Sequence, residues 1–178
     1  ERQVIQGNPT TGGMSTVRFE RKGDMLSYVY LAPNDGTKAV KFSPSEWIGQ
    51  IAKVELLIGG QVIDEQDSVY STLIAPTLSA TSSSKSVSGD LYGGSTNERF
   101  YPLRFAFCEN WQTALPLISL QYHDVELRIT WGAAADTYKW EVYANYVYLD
   151  TQEREMFAAQ PQNMLITQVQ KAISSGNK

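Results

Sequence analysis

The chain has 178 residues and a mass of 19.9 kDa, enough for one domain with a full hydrophobic core. Hydrophobic residues are 42% and charged residues 19%, which excludes a disordered chain, and no apolar run approaches the roughly 20 residues of a membrane-spanning helix. Net charge is −4, with 8 basic and 9 acidic residues in positions 1–89 and 7 and 10 in positions 90–178, so no basic stripe points to direct nucleic-acid binding.

Residues 16–20 alternate Val17 and Phe19 against Arg18 and Glu20, the period of a half-buried strand. A turn at Gly23 leads into an apolar second strand over 25–31, and the pair predicts a hairpin. Ser43-Pro44-Ser45-Glu46 predicts a helix start: Ser43 caps, Pro44 fits the first position and Glu46 closes a capping box. That short helix is expected to bury Trp47, Ile48 and Ile51 on one side. Beyond it Val54, Leu56 and Ile58 alternate, and Gly59-Gly60 supplies the two positive-φ residues of a tight hairpin. Asp64, Glu65 and Asp67 follow; an acidic cluster after a strand reads as a solvated turn before it reads as a calcium site.

Residues 78–97 are rich in Ser and Gly and predict one long surface loop. Strand character resumes over 99–107 with Tyr101, Leu103, Phe105 and Phe107 inward, while Pro102 marks an edge strand or a bulge. Between 114 and 131, Ile118, Leu120 and Tyr122 share one parity and Val125, Leu127, Ile129 and Trp131 the other. The phase slips at His123-Asp124, which predicts a bulge or a strand corner there. Residues 138–149 are aromatic on both faces, with Tyr143, Val147 and Leu149 opposite Trp140, Tyr146 and Tyr148, the pattern of a strand covered twice. Asp150 and Glu153 have capping spacing for a helix through Phe157 that leaves Glu153 and Glu155 exposed. Residues 164–173 fit a helix or a strand, and the domain is expected to span 1–170, with 171–178 beginning a linker.

Short strands, short turns and few helices define an all-β class, an antiparallel sandwich best drawn as an eight-stranded jelly roll with short helices and one long Ser-rich loop. His123 is the single histidine. It lies beside Asp124, but neighbours on a strand point to opposite faces, so the pair does not make half of a Ser–His–Asp site. One histidine and one cysteine do not furnish a zinc or cupin-type metal site. No Gly-x-Ser-x-Gly elbow or phosphate loop is present, and Gly93-Gly94 lacks the Gly-Lys-Ser/Thr that would follow. The residues therefore predict no enzyme, no cofactor and no metal. Cys108 has no partner for an internal disulfide, which suits assembly in a reducing compartment. On patterning alone, a carbohydrate-binding sandwich that stacks sugars on Trp111 or Trp140 is the leading reading.

Four blocks change that ranking: "VELLIGGQVID" (54–64), "RFYPLRFAF" (99–107), "ALPLISLQYHDVELRI" (114–129) and "NYVYLDTQEREMFA" (145–158). In this order they closely resemble the major capsid protein of large double-stranded DNA viruses of eukaryotes, and the similarity runs from about residue 2 to about residue 170. Members of that family carry two consecutive jelly rolls, and three copies form a pseudo-hexagonal capsomer of an icosahedral shell. The resemblance implies that this chain is the first jelly roll, with partners in a second roll of the same chain, a homotrimer and further capsid proteins, located in a virion assembled inside the host cell. It matches Gly59 and Gly60 to the family's hairpin, Pro116 to Val125 (Gln121, His123 and Asp124 among them) to its "LPLIALQYHEV"-like strand, and Asp150-Thr151 to its strand-to-helix corner, all as fold determinants. The face carrying Tyr143, Val147 and Leu149 becomes the candidate interface. Two departures stand out: the family's N-terminal Gly-x-Pro-x-Ile-Thr-Phe-Phe-like segment has no counterpart in residues 7–12, and no second roll follows.

Overall fold

The structure, a computed structural model, describes residues 1–78 and 99–176; beyond Leu78, the predicted Ser-rich loop falls outside them. Two antiparallel five-stranded sheets face each other. The first has the order β1 (Arg2–Gln3), β10 (Lys139–Val147), β4 (Met25–Asn34), β7 (Tyr101–Pro102), with β8 (Leu115–Pro116) also on β4. The second runs β2 (Ile5–Gln6), β3 (Met14–Arg18), β9 (Val125–Trp131), β5 (Ile51–Ile58), β6 (Gln61–Asp67). The chain crosses repeatedly from one sheet to the other, as a jelly roll requires. The predicted class is present, and four of its strands are only two residues long.

This crossing separates the two strands expected to pair across the Gly23 turn. β3 and β4 are not a hairpin: β3 pairs with β2 and β9, β4 with β10, β7 and β8. A Gly turn joins two strands equally well within one sheet or between two, and alternation does not tell which. The turn is held against the far end of the sandwich, where a Cβ on Gly23 would lie 2.6 Å from the Tyr146 Cβ.

α1 (Pro44–Gln50) starts as predicted. The Ser43 N–H donates to Glu46 Oε2 (2.8 Å) and the Glu46 N–H to Ser43 Oγ (3.4 Å), a closed capping box. It buries Trp47, but Ile48 is 39% exposed, and Ile51 already opens β5 in extended geometry. A seven-residue helix has room for one well-buried large side chain before the chain turns into the sheet. The Gly59-Gly60 hairpin is also as predicted, with φ of +60° and +80° between Ile58 and Gln61.

The core lies between the sheets. Val17, Leu127 and Leu56 align across β3, β9 and β5, and face Leu26, Val29 and Leu31 of β4 and Val142 and Ala144 of β10. Burying each such Val or Leu side chain contributes roughly 1.5–3 kcal/mol, set against the chain entropy lost on ordering. At one end Trp131, Trp140, Trp47, Phe42, Tyr101 and Tyr138 interlock, with Trp131 and Trp140 centroids 5.0 Å apart. Two of the buried indole donors are satisfied within the cluster: Trp131 Nε1 donates to Ser15 Oγ (2.8 Å) and Trp140 Nε1 to the Ala135 carbonyl (3.0 Å).

Tyr101, Leu103, Phe105 and Phe107 all point inward as predicted, yet only Tyr101–Pro102 is a strand, at the sheet edge that proline favours. Residues Ala106–Cys108 tighten into a 3₁₀ turn. α2 (Ala75–Leu78) follows a π-helical turn at Tyr70–Ile74. α3 (Thr151–Ala159) is capped by Asp150, which accepts from the Glu153 N–H (2.8 Å), and its Glu153 and Glu155 are exposed. The following tail is neither helix nor strand. It lies along β6 without a ladder: the Val169 N–H donates to Asp64 Oδ1 (3.0 Å), Gln168 Nε2 to the Ile63 carbonyl, and Lys171 pairs with Asp67.

Candidate functional site

The His123-Asp124 phase slip is a crossover between sheets. Leu115–Pro116 pairs with β4 in the first sheet, Leu117–Ser119 makes a 3₁₀ turn, and the chain enters β9 of the second sheet at Val125. A bulge is thereby excluded and the corner alternative is correct; parity alone does not distinguish one inserted residue from a change of sheet. Tyr122, which shares the parity of Ile118 and Leu120, does not share their burial: it is 93% exposed on the turn beside exposed Gln121.

His123 seals the hairpin against this corner. Its ring lies over Gly59, where a Cβ would come within 2.8 Å of Nδ1, and the Gly59 N–H donates to the Asp124 carbonyl (2.9 Å). The Asp124 carboxylate turns instead to Arg18, at 2.7 Å. Arg21 clamps the same corner by donating to the Leu120 and His123 carbonyls. His123 and Asp124 are thus engaged with different partners, and their arrangement performs packing rather than proton transfer.

Asp64 is in strand β6, not in a solvated turn. It is buried and accepts from the Glu65 and Val169 N–H groups and from Gln66 Nε2 (3.0 Å), with burial the main cause of its raised pKa. Glu65 pairs with Lys53 (3.0 Å) and Asp67 with Lys171, so the three carboxylates are spent on separate contacts.

A carboxylate that composition did not single out, Asp24, is more central. It accepts from the Leu149 N–H (2.8 Å), and Arg154 reaches it through Nε (3.1 Å) and NH2 (3.1 Å). These contacts hold its pKa below the usual carboxylate value, the Leu149 N–H most of all, and bind the β3–β4 turn to the corner at Asp150. An Asp next to a Gly turn is too common a signal for the sequence to reveal it. Burial lifts the Cys108 thiol to about 12, so it is an inert core residue.

The outer faces of the two sheets differ in chemistry. On the second sheet, Lys53 bridges Glu55 (3.5 Å) and Glu65, and Arg128 approaches Glu55 (3.7 Å), an internally neutralised ion-pair array. On the first, Tyr30 stacks on Tyr143 with centroids 5.3 Å apart and planes at 15°, and Phe100 packs edge-on against Tyr30 at 5.4 Å. Tyr143 and Val147 lie half-buried on this outer face, and Tyr146 turns inward to bond Gln3 (3.1 Å). Leu149 sits just past the strand with its N–H on Asp24. Of the two proposed sugar platforms, Trp111 is 72% exposed, whereas Trp140 is a core residue.

Two jelly-roll sheets with side-chain contacts devoted to corners, and with one aromatic and one ion-paired flank, define a structural building block. The chain belongs to the family described as "Major capsid protein N-terminus", whose sequence model matches residues 1–139. It is 32% identical to the major capsid protein of Pyramimonas orientalis virus, over 94% of this chain and 48% of that protein. Identity to the major capsid protein of Paramecium bursaria Chlorella virus 1 is also 32%, over 94% of this chain and 43% of the relative. Among solved structures, the crystal structure of PBCV-1 VP54, fitted into a reconstruction of the virophage Sputnik, superposes with a TM-score of 0.71 at 27% identity. That match covers 95% of this chain and 46% of VP54. The chain thus spans about half the length of the relatives it matches, and those relatives are capsid proteins rather than enzymes.

Proposed function

We propose that this chain is the N-terminal jelly roll of a major capsid protein of a large double-stranded DNA virus, and that three copies of the whole protein form a pseudo-hexagonal capsomer of an icosahedral virion. The observation that carries the reading is the match of sequence and fold over nearly the whole chain but only about half of each relative. The remaining half would be a second jelly roll, joined through a linker that begins near Lys171. A jelly roll offers its sheet flanks to neighbours, and the face bearing Tyr143, Val147 and Leu149 supports a flank contact: half-buried aromatic and aliphatic side chains gain most from being covered. Direct contact with nucleic acid plays no part, since the charge is balanced along the chain.

Native and denatured mass measurement of the protein from its natural source tests the reading. A chain well above 19.9 kDa that assembles in threes is the expected result. A chain of that mass that stays monomeric would refute it and promote the sugar-binding reading, which rests on exposed Trp111 alone.

A further inference from the structure

We propose that the cleft between the 115–122 crossover, α3 and the tail is a binding site for a neutral single-chain amphiphile of about ten carbons. Three separate parts of the chain wall it. The β5–β6 hairpin supplies Ile58 and Ile63, the crossover Ile118 and Leu120, and α3 with the tail Phe157 and Met164. All six are half-buried, and Ile58, Ile63, Leu120 and Met164 back directly onto the main core. The cleft holds about 410 Å³, room for about a dozen non-hydrogen atoms at the roughly 30 Å³ that each water takes in the liquid. Met164 is shared with a narrow inner crevice that reaches Phe105 and Phe107, so the deep end is hydrocarbon. The walls are held apart by hydrogen bonds. Ser119 Oγ donates to the Phe157 carbonyl (3.0 Å) and ties the crossover to α3, while the Val169 N–H on Asp64 (3.0 Å) fixes the tail. Apolar surface on such a frame stays open to water until a ligand covers it.

Charge names the ligand class. No Asp, Glu, Lys, Arg or His lines the cleft, in a chain of which 19% of residues are charged. Two larger clefts among the described residues differ sharply. Asp64, Glu65, Asp67 and Lys171 line one beside the tail, and Arg18, Glu20, Arg21 and Asp124 line the other at the His123 corner. A carboxylate, phosphate or ammonium head entering the neutral cleft would lose water and meet no counter-charge. A hydroxyl head suffers no such loss, because the polar groups of the lining are uncharged and exposed: the amides of Gln121, Gln160 and Gln162 and the Tyr122 phenol. An amide both donates and accepts, as a hydroxyl does. The apolar depth therefore takes the alkyl chain and the amide-rich mouth takes the head. The site stands whether or not the chain builds a capsid.

The test uses the full-length protein in its native assembly, irradiated with n-decanol that carries a diazirine at the far end of its chain and then digested for mass spectrometry. Label should concentrate in residues 115–122 and 157–166, and an excess of plain n-decanol should remove it. Decanoate, equal in chain length but charged, should need at least about tenfold more to compete. Ala158 lines the cleft from an exposed helix position, so Ala158→Phe fills the space without touching the core and should abolish the labelling. Label scattered over exposed apolar residues elsewhere, such as Val4, Met14 and Ile173, would overturn the site. Labelling that survives excess n-decanol or Ala158→Phe would do the same. Absence of label from the cleft would show it closed by protein in the assembly and would also overturn the proposal. Equal competition by decanoate would refute the neutral ligand class.

Discussion

Replacing Gly59 by Ala separates the two reasons for a glycine at that position. Its φ of +60° and the +80° of Gly60 both lie in the left-handed region. A side chain there costs about 1–2 kcal/mol, offset by roughly 0.4–1 kcal/mol from the stiffer unfolded chain. Gly60→Ala meets nothing within 4 Å and should therefore cost about 1 kcal/mol. Gly59→Ala adds a clash: the new Cβ lies 2.8 Å from His123 Nδ1 and 3.3 Å from Cγ. The Gly59 N–H to Asp124 carbonyl and His123 N–H to Leu120 carbonyl bonds hold the backbone of the corner, so relief has to come from turning the exposed His123 ring aside. Overpacking against a ring that can turn falls in the lower part of the usual range, about 1–2 kcal/mol, so Gly59→Ala should lose about 2–3 kcal/mol in all. With His123→Ala in the background the loss should fall back to about 1 kcal/mol, a coupling of about 1–2 kcal/mol. Urea denaturation of the four proteins at pH 7, with Gly60→Ala as the reference, measures each figure. Equal costs of Gly59→Ala with and without His123 would refute the packing role assigned to that ring.

Asp24→Asn should lower stability at neutral pH by about 1–3 kcal/mol, since the Leu149 N–H and Arg154 lose a charged acceptor. Because the folded pKa of Asp24 is depressed, its contribution is present above the ordinary carboxylate pKa and is lost as pH falls through the lowered value. The wild-type and mutant curves should converge in acid, and a gap that persists unchanged there would contradict the account. Gly132→Ala should prevent accumulation of folded protein, because its Cβ would sit 2.2 Å from the Gly49 carbonyl oxygen and backbone cannot yield as a side chain can; a normal circular dichroism melt would disprove this. Cys108 should stay unreactive to a thiol reagent in the native state and react on unfolding, given its burial and a pKa raised to about 12. Rapid modification of the folded chain would show that the site opens.

Much of the local structure was legible because it is short-ranged. The Ser43–Glu46 box, the Asp150 cap and the Gly59-Gly60 turn each depend on a few adjacent residues whose hydrogen bonds or φ angles are local. Inward residues such as Leu127 and Ile129 were visible because period-2 alternation follows from strand geometry. What the sequence left open was which sheet each strand joins. β3 and β4 read as a hairpin, and the 114–131 stretch as one bent strand, because alternation records which side is buried but not which sheet supplies the neighbour. Ile48 and the tail failed for a related reason: the competition between faces was settled by distant partners. The roles of Asp24 and His123 belong to the same class, since their partners lie 125 residues away at Leu149 and, across the corner, on the Gly59 hairpin. Local chemistry thus determined the turns, caps and core faces from sequence by itself. The crossing between sheets, the corner contacts and the contrast between an aromatic and an ion-paired flank arose only when long-range packing brought those residues together.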